Sequence, residues 1–164
     1  MASGDTLLIF TPLHNEPVAS NYATLDHRNV HPVLDFDAGT DESAVFSAVM
    51  PRSYAGGGLT VYIHWSASSA TSNDCIWDVA FERIGDSQLD VDGDSFAAVN
   101  SVTDTAPGTT GHVTIANVTF TDGADMDSVA VGELFRLKIT RDADNGSDTM
   151  TGDAELHAVE IKET

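Results

Sequence analysis

The chain reads as an all-β protein: an antiparallel two-sheet jelly-roll sandwich with an extended N-terminal arm. Three observations lead there. Leu59, Val61, Ile63 and Trp65 alternate with Thr60, Tyr62, His64 and Ser66, the period of two that places one apolar row on one side of a pleated strand. Cys75, Trp77, Val79 and Phe81 repeat the pattern against Asp74, Asp78 and Glu82, and Phe135, Leu137 and Ile139 repeat it beside Arg136 and Lys138. Turn-forming residues recur at fairly regular spacing, which gives about nine short strands and little helix. An immunoglobulin-like sandwich fits less well, because it would show a core Cys–Trp–Cys arrangement or a shorter chain.

In chain order, Thr6–Phe10 is a short apolar run suited to a strand buried on both faces or in an interface. Pro12 and Pro17 interrupt regular structure, so residues 1–31 are expected as an extended arm and residues 32–164 as the sandwich domain. Pro32–Phe36 is a second short strand. Ser43–Met50 has apolar residues on both parities and reads as a strand covered on both faces, with room for one helical turn at 41–43. Gly56-Gly57-Gly58 frees the backbone before the region Gly56–Ile84, which reads as one long β-hairpin with both tryptophans on its apolar rows. An acidic loop follows at 85–94, then a weaker strand at Ser95–Val102. His112–Thr121 is a strand whose phase changes between Ile115 and Val118, which implies a bulge near Ala116-Asn117. Met126 lies in a helical turn or crossing loop, Leu134–Thr140 alternates cleanly, Asn145-Gly146 marks a tight turn, and Asp153–Lys162 is the last strand.

The composition bounds the partners. With 164 residues the chain forms one domain with a substantial core. Its 26 acids against 7 Lys plus Arg give a net charge of −19, a surface that repels phosphate and makes nucleic acid and anionic membranes poor partners. Such a charge serves solubility or a salty environment, or keeps densely displayed copies from sticking to one another. One cysteine, Cys75, excludes an internal disulfide, and its place on an apolar row predicts a buried, inert thiol. No run is apolar enough to span a bilayer, and the N-terminal residues lack the basic region of a secretion signal, so synthesis and folding in a cytoplasm are expected.

Candidate chemistry is sparse. Asp90, Asp92 and Asp94 alternate as calcium ligands should, but the sixth and twelfth positions of an EF-hand loop fall on Ser95 and Ser101, so a solvated turn is the better reading. Asp142, Asp144 and Asp148 surround Asn145-Gly146, which already explains them as a turn. His27 and His31 are four apart without a helix to align them. His64, His112 and His157 are isolated in strands, so no zinc site is indicated. No nucleophile elbow, phosphate-binding glycine loop or distinct carboxylate pair stands out. No catalytic residue, cofactor or metal is therefore expected, and the chain is read as a non-enzyme.

One resemblance adds to this. The segment Gly132–Asp142, then Asp148-Thr149, then Thr151–Leu156 resembles the closing hairpin of jelly-roll proteins common in tailed-phage genomes, and Leu59–Trp65 with Trp77–Phe81 fits the same pattern. The resemblance implies a virion structural protein of the head decoration, or cement, type: a homo-oligomer, a trimer, bound to a major capsid protein on the particle. The arm itself, with almost no self-contained core, leads to the expectation that Leu7, Ile9 and Phe10 add to a sheet while Tyr22, Arg28 and Arg52 contact neighbouring subunits or the capsid. The alternative is a carbohydrate-binding or receptor-binding adhesion module of a phage tail or cell surface. That function needs exposed aromatics for stacking on sugar rings, for which Tyr22, Tyr54 and Tyr62 are the candidates.

Overall fold

The computed structural model describes residues 4–87 and 89–164. Ten strands form among them: β1 Thr6–Phe10, β2 Thr24–Arg28, β3 His31–Phe36, β4 Glu42–Val49, β5 Leu59–Ala67, β6 Asp74–Ile84, β7 Asn100–Thr105, β8 Thr114–Phe120, β9 Leu134–Arg141 and β10 Ala154–Glu163. They make two antiparallel sheets. The six-stranded one has the order β2-β3-β10-β5-β8, with β1 also on β10; the four-stranded one has the order β4-β9-β6-β7. The expected all-β sandwich is the observed architecture.

The alternating rows meet between the sheets. Val61, Ile63 and Trp65 of β5 face Trp77, Val79 and Phe81 of β6 and Phe135, Leu137 and Ile139 of β9, all fully buried. Trp65 and Trp77 make an edge contact at 5.8 Å between ring centroids, and Phe36 meets Trp77 at 5.1 Å. This corrects the expected hairpin. β5 and β6 do not pair; β5 lies between β10 and β8, and β6 between β9 and β7. Alternation fixes which face of a strand is buried but not its neighbour. Here the connection after Ala67 carries the chain across to the other sheet, so the tryptophans pack face to face through the core. Cys75 is buried as expected, and burial pushes its thiol well up from its ordinary range.

The N-terminal segment is used within its own domain. β1 pairs with the end of β10, and Phe10 stacks on Phe46 of β4 at 5.2 Å. After a 3-10 turn at Pro12–His14, residues 15–23 run along the free edge of β4: Glu16 donates its N–H to the Val45 carbonyl, Val45 donates to Asn15 Oδ1, and Ala23 donates to the Ser43 carbonyl. Strand edges left open invite pairing with other chains, and here the same chain closes one. β2 and β3 then form a hairpin through Asn29-Val30, both at positive φ (45° and 62°), so the expected division between residues 31 and 32 lies inside β3.

Three smaller differences follow from packing. β8 pairs with β5 in unbroken register with Ala116, Val118 and Phe120 inward, so there is no bulge at 116-117; Ile115 is simply an outward residue on an edge strand. The strand expected at Ser95–Val102 starts at Asn100, because Phe96 lies instead over the outer side of the four-stranded sheet. The helical turn considered at 41–43 is extended chain entering β4. Register shifts do occur in the β1–β10 pairing, between Thr6 and Leu8, and in β10 between Leu156 and Ala158, where the strand leaves β3 and is taken up by β1.

Candidate functional site

The outward residues of the six-stranded sheet form a polar surface. Across β1, β10, β5 and β8 one row reads Ile9, Glu160, Tyr62, Asn117, and the next reads Thr60 with Lys162 and Thr119. Tyr62 is half-buried at the centre. Lys162 Nζ lies 5.5 Å from its ring centroid, and Glu160 accepts a hydrogen bond from Thr6 Oγ1 and stands 4.0 Å from His64 Nε2. An aromatic ring ringed by a carboxylate, an amide, an ammonium and an imidazole supplies an apolar patch together with donors and acceptors of both kinds.

The same face deepens where β10 bulges. A cleft of about 420 Å³ lies there, lined by Arg28, Asn29, His31, Gly111, Val113 and His157. Its floor is one hydrogen-bonded chain. Arg28 Nη1 donates to Glu155 Oε2 at 2.6 Å and to the carbonyls of Ala67 and Ser68, and Ser66 Oγ donates to the same Glu155 oxygen at 2.8 Å. Ser66 has one proton, so the 2.8 Å contact with His157 makes Nε2–H the donor and leaves Nδ1 as the acceptor of a neutral ring. Burial, the largest influence, holds the His157 pKa below its usual value, which agrees with that neutral state.

Farther along, Asp35 sits among Glu155, Asp26 and Asp153 on this face; burial first, then those carboxylates, pushes its pKa up to about 6. Asp35, Asp37, Glu42 and Asp153 line an acidic hollow there.

The candidate residues from the sequence scatter. Phe10 is core and Leu7 packs against it, while Ile9 is 60% exposed on the row just described. Tyr22 is half exposed at the edge of β4, bridging to Ser43. Arg52 is exposed, its guanidinium against Gly132, and Arg28 is in the cleft. Of the three tyrosines considered for stacking, Tyr54 is buried with its hydroxyl donating to Asp122 at 2.7 Å, which leaves Tyr22 and Tyr62. Arg28 and Tyr62 thus share one face. His157, read from sequence as an isolated strand histidine, completes the cleft with Glu155, Ser66 and Gly111, which carried no sequence signal because only the bulge and the chain crossings bring them together.

The acidic loops resolve differently. Asp90 and Asp94 cap their own turn, with Asp90 Oδ1 accepting from the Asp92 N–H and Asp94 Oδ1 from the Ser95 N–H. Asp148 is taken by Arg141, a fully buried arginine that pairs with both its oxygens at 2.8 and 3.0 Å and donates to the carbonyls of Phe36, Met150 and Gly152. Among the described residues one group of carboxylates, Asp41, Asp142 and Asp144, has oxygens within 4.8 Å of one another and could share a cation.

With this geometry in view, comparison with solved structures is informative. The fold is a jelly roll. It is similar to the CBM22-2 xylan-binding domain from Paenibacillus barcinonensis (12% identity, 92% of each chain covered, TM-score 0.54) and to a family 35 carbohydrate-binding module from an environmental isolate (11% identity, 96% and 94% covered, TM-score 0.55). It is also similar to the xylan-binding module CBM15 (12% identity, 96% and 97% covered, TM-score 0.52). No protein-family model matches the chain, and no curated protein matches it significantly. The jelly-roll part of the sequence-level resemblance therefore stands, while the likenesses found lie with carbohydrate-binding modules and lend no support to a phage decoration family.

Proposed function

We propose that this chain is a non-catalytic carbohydrate-binding domain whose ligand lies on the outer face of the six-stranded sheet, over Tyr62. The observation that carries the reading is Tyr62 at the centre of an open sheet face, between Glu160, Asn117, Lys162 and His64. A pyranose ring offers C–H groups on its flat side and hydroxyls at its edge. Such a ligand fits an aromatic platform bordered by acceptors and donors. The jelly-roll modules named above support the reading at the level of fold, and two of them are described as xylan-binding, which makes xylan the first probe. Capsid decoration, the leading expectation from sequence, came from the resemblance to tailed-phage jelly-roll proteins, which the likenesses found do not support; the arm expected to reach a neighbour pairs within its own sheets.

Affinity electrophoresis through gels containing xylan, mixed-linkage β-glucan or mannan is the test. Retardation by at least one polymer is expected, and Tyr62→Ala should weaken it about tenfold with an unchanged melting temperature. No retardation by any of a wide set of polysaccharides, or undiminished retardation of Tyr62→Ala, would contradict the proposal.

A further inference from the structure

Resting on the carbohydrate reading, we infer that the cleft beside Tyr62 takes the carboxylate of a single acidic sugar residue, a hexuronate at the end or on a branch of an otherwise neutral glycan, held by the Nε–Nη2 edge of Arg28.

The guanidinium is anchored at one corner and open along one edge. All three of its hydrogen bonds leave from Nη1, to Glu155 Oε2 and to the carbonyls of Ala67 and Ser68. Nε and Nη2 have no hydrogen-bond partner among the described residues, and the paired N–H groups of that edge match the two oxygens of a carboxylate side-on. Gly111 lies directly against that edge. A Cβ built at that position would stand 2.8 Å from Nη2 and 2.9 Å from Nε, so any side chain would cover it. The backbone there has φ +76°, which favours glycine independently. With only a hydrogen at Gly111, the edge borders the cleft lined also by His31, His157 and Val113.

The rest of the cleft suits a sugar that carries the carboxylate. Val113, half exposed, provides an apolar wall, and the neutral His157 ring has an acceptor nitrogen for a hydroxyl once Nε2 is committed to Ser66. Glu155 fixes the guanidinium in position, so no rotamer has to be found on binding. Charge then limits the ligand. The chain carries −19 overall, and Glu155, Asp26 and Asp153 gather around Asp35, so a polymer charged at every residue is repelled along its length. One carboxylate, seated on the open arginine edge with neutral residues running over Tyr62, avoids that repulsion.

The experiment is a titration of the full chain, followed by NMR with the Arg28 Nε–Hε signal as reporter, against methyl β-glucuronoside, methyl β-glucoside and sodium acetate. The two glycosides differ only in carboxylate against hydroxymethyl at C6. The expected result is a glucuronoside at least tenfold tighter than the glucoside and than acetate, with a shift of the Arg28 signal. In Arg28→Lys, which keeps a charge beside Glu155 but loses the planar fork, the two glycosides should bind within twofold of each other, with circular dichroism checking the fold. Equal binding of the two glycosides to the wild type overturns the inference. So do acetate binding as tight as glucuronoside, which marks a bare anion site, and a preference that survives in Arg28→Lys. Polysaccharide retardation of the wild type, measured alongside, separates the cases: if it is present while the preference is absent, the carbohydrate reading stands and only the acidic-sugar inference falls.

Discussion

On the outer face of the four-stranded sheet, the cations of β9 are already occupied. Arg136 pairs with Glu82 at 2.8 Å, and Phe96 lies over both Arg136 and Lys138, with ring-centroid distances of 5.2 and 4.7 Å. Ala80 and Glu82 beneath are buried, although both point away from the core. On the outer face of the six-stranded sheet, Tyr62 is half-buried at the centre of its row and the Arg28 Nε and Nη2 donors have no hydrogen-bond partner among the described residues. The strands of the two sheets alternate in the same way. Their connections differ: the segment before β7 folds back over one sheet, while the other keeps its face and gains a cleft where β10 bulges. Whether a polar sheet face is a surface or a site is thus decided by what the connections cover.

The interior shared by both faces sets the scale for breaking this comparison. Arg141→Ala removes one member of a fully buried ion pair and leaves Asp148 and three carbonyls without their partner, so chemical denaturation should show a loss of about 3–5 kcal/mol. Trp77→Ala should cost a similar ~3–5 kcal/mol through the cavity left beside Trp65 and Phe36. Loss of less than ~1 kcal/mol in either variant would mean that the sheets are not packed through these contacts.

The next effect separates the faces directly. Tyr62→Ala is expected to reduce carbohydrate affinity about tenfold while hardly changing stability. Phe96→Ala should do the reverse, costing about 0.5–1 kcal/mol of stability through the lost contacts with Arg136 and Lys138, with binding intact. A binding loss in Phe96→Ala would move the site to the other face.

Two smaller effects sharpen the description of the open face. Val30 is a β-branched residue at φ 62°, 87% exposed at the tip of the β2–β3 hairpin, so Val30→Gly should raise stability by about 1 kcal/mol in thermal unfolding. Asp35 holds its proton more tightly in the folded chain, with a pKa of about 6 against an ordinary 3.8. Its contribution to stability is therefore full below about pH 4 and is lost as pH rises through 6. Asp35→Asn should stabilise the protein at pH 7 by about 1 kcal/mol, after allowing for solvent screening, and have no effect near pH 4. An Asp35→Asn effect independent of pH would contradict that account.

Much of the fold was legible because alternation is a local signal. The inward rows of β5, β6 and β9 follow from Trp65, Trp77 and Phe135 and their neighbours two residues away. Pairing was not legible, since a strand that buries one face can neighbour any other such strand, and a repeated apolar phase on either side of a short polar connection does not make β5 and β6 partners. The β2–β3 hairpin was hidden for a different reason. Its two-residue turn is Asn29-Val30, where the recognisable sequence would be Asn-Gly, so the segment read as an arm. Ile115 misled because an exposed isoleucine on an edge strand looks like a change of phase. In the site, Tyr62 and Arg28 could be singled out by residue type. Gly111, Ser66 and Glu155 could not, because their meaning depends on the guanidinium that reaches them from β2.

The most direct test of the central claim is a two-dimensional amide NMR titration of the isotopically labelled chain with a polysaccharide fragment that retards it in gels. Shifts should concentrate at Tyr62 and His64 of β5, Asn117 of β8 and His157 to Glu160 of β10, with the amides of Arg136, Lys138 and Thr140 unmoved. Shifts confined to β9 and β6, or spread evenly over both faces, would contradict the assignment of binding to the face that carries Tyr62.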